Sequence, residues 1–303
     1  MGIVTTFTNQ KGGCGKTVTI SSVARCLYIL KKAKILLIDL DPQRNLDMAL
    51  GMQVPRTDTE TPTLYHVLTG RASLKDVIVH GDFCDLAPAS NQMYGWSIQS
   101  GLSKEEYLEH RNDPDWLLAA LAERFSPEYE AQVSYRYTHL IEEQVKTVID
   151  DYDYVLIDTN PSLSLLTLNG INAARLPGSG LVIPCFCEES SREALAELRD
   201  TQMVLNANSD QPISIFGILL TKYEGKTRVA KRYERYFKHM AKSIGTIVFD
   251  QKIRSSVSVK EYVEAGMDLI SYDPGCNASL DYMEFTKELL KRIEKLEGKR
   301  KNG

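Results

Sequence analysis

The chain has 303 residues, of which 43% are hydrophobic and 25% charged, and its formal net charge is −4. This is ordinary globular usage, with enough residues to bury a full core. The six cysteines show no paired metal-ligand spacing, and neither a signal peptide nor a transmembrane stretch can be recognised, so we expect free thiols in a reducing compartment.

An apolar run at residues 2–7 predicts the first strand, and helical periodicity follows over residues 18–32. Between them, residues 9–17 read Asn-Gln-Lys-Gly-Gly-Cys-Gly-Lys-Thr, with three glycines where a strand turns into a helix. Glycine lets backbone N–H groups surround an anion at a helix N-terminus, Lys16 supplies charge for the outer phosphates, and Thr17 offers Mg²⁺ a hydroxyl. We interpret this stretch as a phosphate-binding loop.

The loop departs from the usual phosphate-loop pattern, because Gln10 stands where that pattern has glycine and a second lysine, Lys11, follows it. In this respect residues 11–17 resemble the deviant Walker A motif of the ParA/MinD family of ATPases. The resemblance implies ATP and Mg²⁺ as cofactors, and a homodimer around ATP in which Lys11 reaches the partner's phosphates. It further implies that Lys11 and Lys16 serve catalysis. It implies nucleotide contacts along the whole loop, from Lys11, Gly12, Gly13, Cys14, Gly15, Lys16, Thr17 and Val18.

The next predicted strand, within residues 34–43, ends in two carboxylates, Asp39 and Asp41, one residue apart. Strand alternation places both on the same side, where they can hold the hydration shell of Mg²⁺ or orient the attacking water. The sequence Asp-x-Asp-Pro-Gln resembles the ParA switch I signature, which assigns Asp41 to the catalytic water and Asp39 to the outer shell of the metal. Residues 44–47 instead resemble MinD, since the partition pattern commonly has glycine before Asn45.

A third motif, residues 153–158, is an apolar strand that ends in Asp158. This is the arrangement of a Walker B acid, and we expect Asp158 to ligate Mg²⁺ through water. The segment that follows, 159–169, resembles ParA switch II, except that Asn160 replaces the usual first proline. The rigidity of this loop is therefore expected to differ from that of the family.

Further apolar runs predict strands at residues 181–183 and 215–220. The resemblance places the end of the second strand, at Thr221, beside the adenine. Apolar strands that alternate with helices predict an α/β fold with a mostly parallel, twisted sheet and helices on both faces, as in P-loop NTPases. Ligands in such sheets bind at the carboxyl ends of the strands, where the polar motifs fall.

Positive charge is concentrated late in the chain, since residues 222–260 carry eleven Lys and Arg against three acidic residues. Such segregation on an acidic protein indicates a polyanionic partner. The resembled family binds DNA nonspecifically in the ATP state, so we expect one helical stripe to contact phosphates; the alternative is a solvated basic face. The predicted DNA-binding residues are Arg228, Lys231, Arg232, Arg235, Lys238 and Lys242, with Arg254 extending the surface.

The last predicted helix, residues 280–296, repeats apolar residues at helical spacing among lysines and glutamates. Its acidic residues favour a helix packed on the domain over a MinD-like membrane anchor. We expect one ATPase domain over residues 1–298, with a variable helical lobe at about 92–140 and a basic tail at 299–303.

The three ordered motifs predict an Mg²⁺-dependent ATPase that dimerises with ATP, coats double-stranded DNA and releases it on hydrolysis. By resemblance, a ParB-like centromere-binding protein stimulates that hydrolysis, the protein is cytoplasmic and nucleoid-associated, and no membrane partner is expected. The alternatives are a MinD-like membrane-associated positioning ATPase and a small-molecule or redox enzyme on the same scaffold. Because the chain starts at its first strand, we expect no helix-turn-helix extension and no operator-specific binding.

Overall fold

The computed structural model describes residues 1–55, 61–99, 137–162, 164–207 and 209–301. Its strands are β1 (Ile3–Phe7), β2 (Ile35–Leu40), β3 (Val79–His80), β4 (Asp85–Ala87), β5 (Tyr154–Thr159), β6 (Gly180–Cys185) and β7 (Ile215–Leu220). Its α-helices are α1 (Lys16–Lys31), α2 (Leu46–Leu50), α3 (Leu64–Leu68), α4 (Met93–Gln99), α5 (Leu140–Lys146), α6 (Leu165–Ala173), α7 (Glu189–Ala207), α8 (Arg228–Ser243), α9 (Ser258–Glu261), α10 (Leu269–Tyr272) and α11 (Asn277–Lys301).

The strands form one sheet in the order β3-β4-β2-β5-β1-β6-β7. All neighbouring pairs are parallel except β3 and β4 at one edge. Because β1 lies between β5 and β6, the loop that follows β1 emerges among the carboxyl ends of parallel neighbours. This is where open α/β sheets bind ligands.

Helices cover both faces of the sheet, and β2, β5, β6 and β7 are accordingly buried at every residue. Alternate side chains of β2 enter different cores: Ile35 and Leu37 pack with residues of α1 and α11, whereas Leu36 and Ile38 pack with residues of α5 and α6. A third core joins β6 and β7 to α7 and α8. The predicted fold class is confirmed.

The strands predicted from apolar runs are all present, but three extend further at their carboxyl ends. β6, predicted over residues 181–183, runs to Cys185. β2 continues to Leu40 and β5 to Thr159, so that Asp39 and Asp158 lie inside strands instead of at their last positions. The physical reason is mutual pairing, since the two strands remain in register through these aspartates. Asp41 alone lies beyond its strand.

The C-terminal helix α11 packs against α1, as predicted for a helix on the domain. Its apolar residues Phe285, Leu289 and Ile293 are buried there. The helix continues to Lys301, so residues 299–301, which were expected to form a tail, are helical. Within the described ranges, none of the helices combines the length and the apolar character that crossing a membrane requires. Most of the predicted helical lobe falls at residues 100–136, outside the described residues.

Candidate active site

The loop between β1 and α1 is shaped by two glycines in the left-handed region, Gly13 with φ 74° and Gly15 with φ 86°. Glycine takes these angles without the steric cost that a side chain would add. Gly15 is also the N-cap of α1; in the described structure no side chain caps this helix, and its first turn carries no acidic residue. The N–H groups of the first turn are therefore left for an anionic ligand.

Lys16 is folded over this loop, and only 7% of its surface is exposed. Its ammonium donates to the Asn9 carbonyl oxygen at 3.1 Å and lies 3.5 Å from the Lys11 carbonyl oxygen. Asn9 in turn donates its side-chain amide to the Pro184 carbonyl at 2.6 Å and accepts from the Lys11 N–H at 2.9 Å. Asn9 thus ties the phosphate loop to β6 and contacts both lysines, a role that the sequence analysis missed.

Thr17 and Asp158, predicted from separate motifs, meet at the start of α1, where the Thr17 hydroxyl donates to Asp158 Oδ2 at 2.7 Å. Asp39 of β2 is the register partner of Asp158 on β5, and both aspartates are buried. The other carboxylate oxygen of Asp158, Oδ1, is buried and has no hydrogen-bond partner among the described residues. The two buried acids therefore lie on neighbouring strands near the start of α1, and one oxygen of Asp158 is left without a hydrogen-bond partner.

The raised pKa values of the buried Asp39 and Asp158 favour a cation beside them. Burial raises the pKa of Asp158 to about 7 against the opposing charge of Lys16. Burial and the neighbouring Asp158 charge also raise the pKa of Asp39 well above its ordinary value. Such carboxylates are costly to ionise unless a positive ion lies beside them. Mg²⁺ takes oxygen ligands and keeps several waters, so Thr17 and Asp158, with Asp39 behind them, fit this ion.

Replacing Asp158 by asparagine tests the cation site, because the side chain keeps its size and loses its charge. We expect Asp158→Asn to lose the Mg²⁺ dependence of ATP turnover, with turnover lowered about 10²-fold or more. The measurement is a Mg²⁺ titration of hydrolysis. The matched control is Asp153→Asn. Asp153 lies at the amino ends of the strands, where it accepts from the Lys34 N–H. A Mg²⁺ response equal to that of wild type would exclude Asp158 as a ligand.

Asp41 faces a cavity of about 320 Å³ that is also lined by Lys16 and Thr17. Its Oδ1 accepts from the Gln43 N–H at 3.0 Å, and its own N–H donates to Asp39 Oδ1 at 3.0 Å. Burial raises the pKa of Asp41, although the bond from Gln43 and the charge of Lys16 oppose that shift. A carboxylate held in this way beside a phosphate-binding lysine can orient water and accept a proton from it.

A second cavity, of about 630 Å³, adjoins the first one along Gly13, Gly15 and Val18, and its size suits a nucleoside. Its far walls come from four distant segments, namely Phe186 after β6, the residues after β7, residues 253–263 and Tyr282 of α11. Val18 and Thr221, both predicted to contact the nucleotide, line this cavity. The other walls could not be predicted from the sequence, because segments so far apart share no motif.

Thr221 also supports the phosphate loop. Its hydroxyl donates to the Cys14 carbonyl at 2.9 Å, and its N–H donates to the Cys185 carbonyl at 2.9 Å. Cys14 is fully buried, and burial raises the pKa of its thiol. Cys14 therefore serves the loop through its backbone, and its side chain supplies no thiolate. All six cysteines are free thiols, as predicted.

The remaining predicted site residues lie apart from the two cavities, with one exception. Lys11 is 39% exposed, and its ammonium lies 3.9 Å from Glu188 Oε1. The six cations predicted on α8 are all exposed. The exception is Arg254, which lines the nucleoside-sized cavity and is ion-paired with Asp281 at 2.7 Å.

Comparison with known proteins shows the family of this chain. A protein-family model described as an AAA domain matches residues 2–215. The chromosome-partitioning ATPase Soj of Treponema pallidum is 30% identical over 96% of this chain and 98% of its own length. The chromosome partitioning protein ParA of Caulobacter vibrioides is 30% identical over 95% of this chain and 94% of its own. The chain belongs to the ParA (Soj-like) family of partition ATPases.

Solved structures share the fold of this ParA-type protein. An aspartate-to-alanine variant of Cyanothece McdA, in complex with ATP, aligns with a TM-score of 0.72 at 19% identity over 96% of each chain. The septum site-determining protein MinD of Pyrococcus horikoshii, complexed with Mg-ADP, aligns with a TM-score of 0.65 at 18% identity over 98% of each chain. The family membership and the phosphate loop together make this ParA-type protein an ATP hydrolase.

Proposed function

We propose that ATP joins two copies of this chain, that the dimer binds duplex DNA without sequence preference, and that a ParB-like centromere-binding partner stimulates hydrolysis and release. The observation that carries the proposal is the one-sided charge of α8, whose exposed cations we call the basic face: Arg228, Lys231, Arg232, Arg235, Lys238 and Lys242. Binding to bulk DNA would make this protein nucleoid-associated in the cytoplasm.

In the proposed reaction, the N–H groups of the phosphate loop and Lys16 hold the phosphates while Asp41 orients the attacking water. Thr17 and Asp158, the latter through water, would hold Mg²⁺ together with Asp39, and the ion would neutralise charge on the transferred phosphoryl group. The cavity beside Thr221 takes the nucleoside. These roles use groups that already lie in place, which is how enzymes lower barriers to phosphoryl transfer.

The dimer part of the proposal rests on Lys11. Lys11 is the more exposed of the two loop lysines, and it points toward Glu188 instead of folding over the loop as Lys16 does. An exposed ion pair of this kind contributes little and is easily exchanged for another anion. The Lys11 ammonium is thus available to the phosphates of a second copy.

The basic face is backed by an apolar face on the same helix. Ala230, Tyr233, Phe237 and Ala241 are buried against the sheet, so the tyrosine and phenylalanine serve the core. In the part of the chain that the structure describes, no carboxylate lies within ion-pair distance of five of the cations: Arg228, Lys231, Arg232, Arg235 and Lys242. Such cations can replace the counterions of a DNA backbone.

Lys238 differs from the other cations of the basic face, because it is paired with Glu234 at 2.8 Å. Burial alone would raise the pKa of Glu234, but bonds from Lys238 and Tyr223 and the charge of Lys252 outweigh it and lower that pKa to about 2. Glu234 thus stays ionised and holds Lys238. Arg254 is held by Asp281 in the same way, so we propose smaller DNA contributions from these two residues.

Charge reversal tests the basic face. We expect Arg232→Glu with Arg235→Glu to lower affinity for random duplex DNA in the presence of ATP by more than tenfold, and to flatten its salt dependence, because each lost phosphate contact removes about one released counterion. Affinity is measured by interferometry with ATP, ADP and no nucleotide. The matched control is Lys291→Glu with Lys295→Glu, which reverses two exposed lysines of α11. Equal affinity of all three proteins would refute this surface.

A MinD-like membrane function is not proposed. A membrane-binding helix must present its apolar face to lipid, whereas the apolar face of α11 is covered by α1 and the sheet. The interferometry can be repeated with anionic vesicles in place of DNA. ATP-dependent binding to the vesicles without binding to DNA would favour the MinD-like alternative over partition.

A further inference from the structure

Arg44 combines two features that each cost free energy. It is one of three non-glycine residues with positive φ in the described residues, at 54°, a region that L side chains adopt at a steric cost. It is also a buried arginine, only 3% exposed, and guanidinium groups are rarely buried without partners. Something in the folded protein must hold this residue where it is.

The contacts of Arg44 join three segments around Asp41. Its N–H donates to the Asp41 carbonyl at 3.0 Å, which closes the turn after β2. Its Nη2 donates to the Pro55 carbonyl at 3.1 Å and lies 3.5 Å from Asp47 Oδ2 on α2. Its Nε is buried and has no partner among the described residues. The side chain is therefore held at its tip, which leaves the turn braced against α2.

This brace lies next to the cavity that holds Asp41. Asn45, Met48 and Ala49, on and before α2, line that cavity together with Asp41. Asp41 directly follows β2 and begins the turn that Arg44 closes. A shift of the turn would therefore move the carboxylate relative to the phosphates without disturbing the phosphate loop.

We propose that Arg44 is a positioning residue for Asp41: its guanidinium holds the turn in the left-handed conformation that aims the carboxylate at the attacking water. The inference rests on the proposed catalytic role of Asp41. Glycine at position 44 would tolerate the same φ but would also be free to leave it. The φ angle of residue 44 would then no longer fix the direction of the Asp41 carboxylate.

The test measures kcat and KM for ATP in the full chain. We expect Arg44→Gly to lower kcat by between tenfold and about 10²-fold, the cost of a displacement of about 1 Å, with KM for ATP within twofold of wild type. Arg44→Lys keeps the charge and should restore part of kcat. Lys32→Gly is the matched control, since Lys32 has φ 53° at the exposed end of α1, and its kcat should equal that of wild type.

A double variant separates positioning from a general effect on the fold. If Arg44 acts through Asp41, adding Arg44→Gly to Asp41→Ala should slow single turnover no further; a further loss as large as in wild type overturns the proposal. A kcat of Arg44→Gly within twofold of wild type, or a rise of KM in parallel with the loss of kcat, also overturns it. Wild-type turnover by Asp41→Ala alone would instead refute the proposed role of Asp41.

Discussion

Asp41→Ala is expected to bind ATP as tightly as wild type and to hydrolyse it between about 10² and 10⁴ times more slowly, the usual contribution of a positioned general base. Asp41 lies in the cavity with Lys16 and Thr17, but no hydrogen bond or ion pair joins it to either residue in the described structure. Its loss should therefore spare the groups that bind phosphate. ATP should then persist, and with it the proposed dimer.

Three measurements on one preparation decide this prediction, namely the ATP dissociation constant, the turnover rate, and the mass in solution with ATP. The control is again Asp153→Asn, because Asp153 lies at the amino ends of the strands. This substitution should leave all three quantities unchanged. Turnover equal to wild type would remove Asp41 from the reaction. A monomeric mass with ATP bound and hydrolysis abolished would leave the catalytic role standing and remove the dimer.

The parts of the fold that could be predicted from sequence are those fixed by local patterns. Strands such as 215–220 are buried on both faces and therefore appear as unbroken apolar runs. The phosphate loop was predictable because its backbone requires positive φ at positions 13 and 15. Glycine adopts positive φ readily, so this requirement is visible in the residue type. Asp39 and Asp158 could be found because each follows an apolar run.

What could not be predicted depends on contacts between distant segments. The nucleoside-sized cavity is closed by residues 253–263 and Tyr282, which share no pattern with the loop that they face. Pairing with Glu234 and Asp281 separates Lys238 and Arg254 from the other cations, although all of them look alike as a run of basic residues. Charge in a sequence shows where cations are, and only the fold shows which of them are already neutralised.

Lys16→Ala is expected to weaken ATP binding about 10²-fold or more, whereas Lys11→Ala should leave it nearly unchanged. Hydrogen bonds to charged groups contribute about 1.5–3 kcal/mol each, and about 1.4 kcal/mol corresponds to a factor of ten, so two lost phosphate contacts account for this loss. Lys16 is buried and held by backbone oxygens over the loop. Its ammonium is therefore positioned before the nucleotide arrives.

Lys11 occupies the same loop and carries the same charge, so the two substitutions control for each other. Its exposed ammonium and its exchangeable pair with Glu188 predict that Lys11→Ala binds ATP as a monomer and fails to dimerise. Light scattering with a non-hydrolysable ATP analogue measures this directly. If Lys11→Ala weakened ATP binding as much as Lys16→Ala, the lysine would act on the nucleotide of its own chain. An unchanged dimer of Lys11→Ala would show that the contact across the interface is dispensable, and would remove Lys11 from the dimer proposal.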